Sequence, residues 1–275
     1  MTTPAAVFAQ PPAGMFRPPG DPLATSVIQT VKQAAARAPR SLQAAVGPSE
    51  LGTPCLRRLG YKAIDHDPKP NTDTDPWASV IGTATHAWMA ETYGRLNRDA
   101  RRDRGDHVSI PVPADRYLIE HRVHLPGGIS GSCDLFDRDT GYVIDWKVTG
   151  LDRLKGYRKI GPGQQYRTQG HLYGLGMQLA GERVERVAIV FLPRGGRIDQ
   201  LYPWSEPYDP QIAIDALRRF EEIRAFHITL DPAEHPENWA LLPTADAYCT
   251  YCPFYLPNST DLGKGCPGHT APKEK

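Results

Sequence analysis

Two short runs near the middle of the chain hold residue types able to do chemistry together. Asp134 closes Gly131-Ser132-Cys133-Asp134, and Asp145-Trp146-Lys147 follows after one tight turn. On neighbouring antiparallel strands Asp134 and Asp145 stand side by side, close enough to share a hard cation. Lys147 lies two residues beyond Asp145, so its side chain leaves the same strand face. Two carboxylates and an ammonium make poor core material, because buried charges persist only when paired or metal-bound. A solvent-facing Asp–Lys pair on a sheet edge is the plain alternative.

The cysteines form a second constellation. Cys249-Thr250-Tyr251-Cys252 is a Cys-x-x-Cys, Cys266 follows after thirteen residues, and Cys55 lies far upstream in Pro54-Cys55-Leu56-Arg57-Arg58. Cys133, beside Asp134, reads as a buried core residue. That leaves four thiols, the number a metal or cluster takes. A cytoplasmic protein does not keep them as disulfides, and four independent thiols are the other option.

The elements that must position these groups follow from periodicity. A helix is predicted over 25–37, and a second after Pro48 with Ser49 as its cap and Leu51, Leu56 and Leu59 apolar. The Asp-, Pro- and Asn-rich stretch 62–76 reads as a loop, and 77–97 as a helix. Alternation then predicts strands over 117–124, 129–136 and 142–148, a three-stranded meander. A basic loop runs to Gly163, a helix spans 164–179, and 184–192 pairs with 197–202 through Arg194-Gly195-Gly196. A periodic helix covers 210–226, and the tail is irregular. The order implies a mixed α/β domain.

Composition bounds the rest. With 275 residues, 40% hydrophobic and 23% charged, the chain suits one large domain with appendages. No apolar run approaches the roughly 18 residues of a membrane span. No signal pattern opens the chain, so a cytoplasmic address is the expectation. Pro4, Pro11, Pro12, Pro18, Pro19 and Pro22 mark residues 1–24 as disordered. A net charge of +1 does not announce a nucleic-acid binder, so any DNA affinity is local. The local candidates are Arg95, Arg98, Arg101, Arg102 and Arg104, and a second set of Arg153, Lys155, Arg158, Lys159 and Arg167. Solvated surface is the alternative for both. No P-loop is present, so the chain is not expected to consume ATP.

The carboxylate–lysine pattern resembles the PD-(D/E)XK nuclease superfamily: Asp134 fits its first acid and Asp145-Trp146-Lys147 its Asp/Glu-x-Lys strand. Within that superfamily the chain resembles the RecB-type exonucleases, with Gly82-Thr83-Ala84-Thr85-His86 as their helical Gly-x-x-x-His and Gln169-Gly170-His171-Leu172-Tyr173 as their Gln-x-x-x-Tyr. The resemblance implies a restriction-endonuclease-like core over 77–230, preceded by N-terminal helices (25–76) and followed by a cysteine-rich tail (231–275). It implies DNA cleavage with Mg²⁺ or Mn²⁺, on single-stranded or unwound ends, in recombination, repair or phage DNA metabolism. The metal would be held by Asp134, Asp145, the Trp146 carbonyl and His86, the imidazole favouring Mn²⁺. Glu120 is a further ligand or a surface strand residue. Lys147 would orient or deprotonate the water, Gln169 would position the site, and Tyr173 would pack or touch the strand. A junction- or flap-cutting endonuclease and an idle DNA-binding accessory are the competing readings.

Cys55 with Cys249, Cys252 and Cys266 resembles the ligand set of the iron–sulfur nucleases, including the CRISPR-associated exonucleases and the AddB nuclease domain. There, one cysteine before the core and three after it hold a 4Fe–4S cluster. The final gap is longer here than in those families, and structural Zn²⁺ fits the same spacing. Arg57 and Arg58, with Arg153, Lys155, Arg158 and Lys159, would guide DNA, and Trp146, Tyr157 or Tyr166 could stack on bases.

Overall fold

The structure, a computed structural model, describes residues 22–38, 45–72, 75–104 and 114–269. Most of the segment expected to be disordered (1–24) lies outside these. Its last residues instead open helix α1 (Pro22–Ala36), which Pro22 starts at a position where a missing N–H is harmless. Residues 1–43 form one unit and 44–275 another.

In the second unit the helix expected after Pro48 is two: α2 (Pro48–Leu51) and α3 (Leu56–Ala63), capped by Gly47 and Cys55 rather than Ser49. Gly52 caps α2 where a Cβ would lie 2.5 Å from the Gln165 carbonyl, and Pro54 cannot continue a helix. Helix α4 (Trp77–Arg104) precedes strands β1 (Tyr117–Leu125), β2 (Ile129–Asp137) and β3 (Tyr142–Thr149). These three form the expected antiparallel meander. The basic stretch after β3 is not a loop but helix α5 (Leu151–Ile160), anchored by a single buried residue, Leu154. Helix α6 (Gly163–Leu179) completes the crossover to β4 (Arg186–Pro193), which pairs parallel to β3. The fifth strand is β5 (Tyr202–Pro207), not 197–202; a short 3₁₀ turn, Ile198–Gln200, fills the connection. Helix α7 (Pro210–Leu230) and the tail follow. The result is a mixed five-stranded sheet, β1-β2-β3-β4-β5, with helices on both faces.

One face packs under α4, through Leu135, Trp146 and Leu192 against Met89 and Tyr93. The other packs under α6, through Val123, Phe136, Val143 and Val187 against Tyr173 and Met177. Helix α6 is buried nearly all round and lies close on the sheet because it carries glycine where bulk would collide. A Cβ on Gly176 would sit 2.5 Å from that of Val123. A further core joins α3, α7 and the tail around Tyr61, Trp239 and Phe254. No helix among the described residues is long and apolar enough to cross a membrane.

Candidate active site and cysteine centre

β2 and β3 pair only from Asp137↔Tyr142 to Leu135↔Ile144, then part. One residue further along each strand stand Asp134 and Asp145. The gap is closed by a side chain: the Trp146 N–H donates to Asp134 Oδ2 at 2.8 Å. Across β1–β2 the pairing skips Glu120 and Asp134, and Glu120 has a left-handed φ of 47°. Ile119 and Leu135 face α4 whereas Val123 and Cys133 face α6, although even spacing should keep each strand's residues on one face. The alternation therefore slips at Glu120 and Asp134. Such slips recur beside active sites because they re-aim side chains.

The slip decides where the carboxylates point. Asp134 turns towards α4, where His86 Nδ1 lies 3.3 Å from its Oδ1. His86 Nε2 is 3.1 Å from the Trp146 carbonyl, so one imidazole bridges the two groups. The Asp134 contact raises the His86 pKa, against the opposing effect of burial. Asp145 stays on the α6 face, 1% exposed, with Oδ1 accepting from Gln169 Nε2 at 2.9 Å. Its Oδ2 has Lys147 Nζ at 2.5 Å as an ion partner but no hydrogen bond of good geometry. Burial pushes the Asp145 carboxyl up, Lys147 pulls it down, and Asp134 pushes it up again. The two acids thus do not share one sheet face, as spacing alone suggests; they approach the parted strands from either side. Among the described residues, the trio that brings ligand atoms within 4.8 Å of one another is His86, Glu120 and Asp134.

Behind this group, Tyr173 is buried with its hydroxyl 3.5 Å from Gln169 Nε2, and burial raises its pKa. Trp146 is 6% exposed and stacks on Tyr93, while Tyr157 stacks on Phe191 at 4.1 Å. The Trp146 ring is core, and the Tyr157 ring is half-buried with one face packed on Phe191. Cys133 is fully buried, and burial raises its thiol pKa.

Cys55, Cys249, Cys252 and Cys266 line a single recess of ≈ 280 Å³, together with Tyr61, Thr244 and His269. Three of the sulfurs accept backbone N–H groups: Cys55 from Arg58, Cys266 from Gly268 and Cys249 from His269, at 3.4–3.5 Å. Arg57 Nη1 reaches Cys266 Sγ at 3.7 Å, and its Nε donates to the Trp239 carbonyl, so Arg57 ties α3 to the tail. Sequence reasoning passed over Thr244 and His269, which nothing but proximity to the cysteines marks out.

Of the basic candidates, Arg58 donates to the Ala247 carbonyl and lines the recess. Arg153 stacks over Tyr248, Lys155 pairs with Asp152, Arg158 donates to the Gln200 carbonyl, and Lys159 is exposed. On α4, Arg95 and Arg98 pair with Glu91, Arg101 with Asp115, and Arg102 with Asp99 and Asp103. The described side chains of that cluster are thus each paired with a carboxylate, and the Arg104 side chain lies outside the described residues.

No family model matches the chain, and no curated protein matches it significantly. Among solved structures it is similar to an alkaline exonuclease, LHK-Exo, from Laribacter hongkongensis, at 16% identity and TM-score 0.34 over 46% of this chain and 63% of that one. The chain thus spans less than two thirds of that neighbour. It is also similar to LHK-Exo in complex with dAMP, at 14% identity and TM-score 0.34 over 69% of this chain and 96% of that one. A third neighbour is a phage-related exonuclease from Haemophilus somnus 129PT, at 14% identity and TM-score 0.30 over 64% and 94%. At so slight a likeness, any function has to rest on the geometry of the site itself.

Proposed function

We propose that the chain is a divalent-metal-dependent DNA exonuclease with a PD-(D/E)XK core. One observation carries the reading: His86, Glu120 and Asp134 bring ligand atoms within 4.8 Å of one another where β2 and β3 part, beside the Trp146 carbonyl, with the Asp145–Lys147 pair reaching the gap from its other side. The residues fit a hard dication. The donor set is mostly oxygen, as hard dications take, and Glu120 and Asp134 set two carboxylates beside one imidazole. Asp134, Asp145, Glu120, the Trp146 carbonyl and His86 would hold Mg²⁺ or Mn²⁺, the imidazole favouring Mn²⁺. When bound, such an ion polarises a phosphate and lowers the pKa of a water.

The chain's own residues do the positioning. Gln169 fixes the Asp145 carboxylate, and Tyr173 closes the space behind Gln169. His86 holds Asp134 and the Trp146 carbonyl in one arrangement. Lys147 sets an ammonium where phosphodiester hydrolysis builds negative charge, and can orient the attacking water. Arg58, Arg153, Lys155, Arg158 and Lys159 supply the positive charge along which the DNA backbone would run. The test is digestion of linear and circular single-stranded DNA in Mn²⁺. Loss of the linear form alone supports an exonuclease. A cut circle replaces it with an endonuclease, and no cleavage of either leaves a DNA-binding accessory.

The second part of the reading is that Cys55, Cys249, Cys252 and Cys266 hold a 4Fe–4S cluster with a structural role. Backbone N–H groups aimed at the sulfurs favour bound thiolates. Structural Zn²⁺ would use the same four thiolates, and the metal content tells the two apart. A brown protein containing iron and sulfide, bleached on reduction, supports this; a colourless one containing zinc overturns it.

A further inference from the structure

Beside Lys147 an open groove of ≈ 1140 Å³ runs along the α5–α6 face. Tyr157, Tyr166, Arg58, Arg153, Tyr248 and Tyr251 are among the residues that line it. Lys147 Nζ sits 5.0 Å from the centre of the Tyr166 ring, so the groove begins where the carboxylate site ends.

Tyr248 and Tyr251 come from the cysteine turn, each immediately preceding a cysteine, and are 56% and 66% exposed. The Arg153 guanidinium lies 4.4 Å from the first ring centre and 5.9 Å from the second. Tyr248 also holds a left-handed backbone, φ 57°, which is unfavourable for so bulky a residue and is not offset by burial. Exposed rings interleaved with a cation suit one class of ligand. Every unpaired base has a π-face for a ring, and the phosphate beside it takes the charge. In a duplex those faces are already occupied by neighbouring bases. Asp246 is the one acidic residue among those lining the groove, so a polyanion meets little repulsion.

We infer that this groove is a stacking site for an unpaired DNA strand, with Tyr248 and Tyr251 as base platforms and Arg153 as the phosphate contact. It leads the strand to Lys147, a destination that rests on the nuclease reading, whereas the binding does not. Because the platforms ride on the Cys249–Cys252 turn, the sulfur centre sets their position.

The experiment is fluorescence anisotropy of the full chain in calcium, with no magnesium or manganese. The ligands are labelled oligo(dT), an abasic strand of equal length and a blunt duplex. Tyr248→Ala and Tyr251→Ala should each weaken oligo(dT) binding on the order of tenfold while leaving abasic-strand binding unchanged. Tyr248→Phe and Tyr251→Phe should restore it, and Arg153→Ala should weaken both strands alike. Wild-type oligo(dT) affinity in the alanine variants overturns the inference. So does an equal loss for oligo(dT) and abasic strands, a duplex bound as well as oligo(dT), or a wild-type protein that binds no single strand. Digestion in Mn²⁺ is scored separately. Binding by a protein that digests nothing sinks the nuclease reading and leaves the groove; digestion with indifferent tyrosines sinks the groove alone.

Discussion

Gln169 and Lys147 act on the same carboxylate and should fail differently. Gln169 holds Asp145 Oδ1 from a buried position on α6, so it would orient the proposed metal ligand without touching the reacting atoms. Gln169→Ala should raise the Mn²⁺ concentration for half-maximal cleavage by roughly 10–100-fold, the usual effect of losing such a partner. Lys147→Ala should instead lower kcat by about 10²–10³-fold, as for removal of one charge-stabilising donor, with the metal requirement little changed. Titrating Mn²⁺ against initial rates separates the two. Asp134→Ala should abolish cleavage and leave DNA binding, and persistent digestion would move the site elsewhere. Asp134, Asp145 and Lys147 stand out by residue type and spacing, whereas Gln169 is marked only by the family resemblance. The bridging of Asp134 and the Trp146 carbonyl by a single histidine was not legible, because His86 lies on α4, 60 residues from its partner in the chain.

Elements whose burial pattern is one-sided could be read from periodicity, and the rest could not. The sequence bounds of β1 to β3 match nearly to the residue, although the alternation slips at Glu120 and Asp134, whereas α5 hides because only Leu154 on it is buried. The partner of β4 starts at Tyr202, since Gly195-Gly196 looks like a two-residue turn but the connection also holds a 3₁₀ turn. Helix α6 shows the packing that glycine permits. A Cβ at Gly176 would meet the Cβ, Cγ2 and Cγ1 of Val123 at 2.5–3.0 Å, all on a strand that cannot retreat easily. Gly176→Ala should therefore lower stability by about 1–3 kcal/mol through overpacking, despite the better helix propensity of alanine. Urea unfolding measures it; an unchanged midpoint would mean that α6 lifts off the sheet freely.

At the scale of the molecule the tail returns to the beginning of the second unit. Tyr61 donates to the Leu262 carbonyl at 2.6 Å, Asn71 to the Thr250 and Cys252 carbonyls, and Trp239 is buried against Tyr61. The tail thus has an apolar anchor of its own. Disrupting the proposed cysteine-held metal centre, by oxidation or by Cys266→Ser, should loosen residues 240–269 and α3 while the sheet stays folded. Hydrogen exchange should show faster amides there and unchanged ones in β2 to β4; uniform acceleration would count against this. His227 adds a pH dependence to the same junction. Burial holds its pKa below the usual 6.5, with its Nε2 bonded to the Gly60 carbonyl. The neutral ring is favoured in the fold, so the contribution is complete above pH 6.5 and is lost as pH falls through the lower folded value. The His227 contribution to stability in urea unfolding should decline as pH falls below about 6.5, and His227→Gln should remove that part of the slope.

Residue chemistry and short-range periodicity determined the acids, the lysine, the four cysteines and the meander that carries the first of these. Those features are local: a strand's alternation and a two-residue offset are written in consecutive positions. Only the tertiary structure decided that the acids approach from either side of parted strands, that Arg57 ties α3 to the tail, and that two tyrosines from the cysteine turn line a groove beside Lys147. Each of these depends on which distant segment packs against which, and that is set by the mutual fit of buried surfaces across the whole domain.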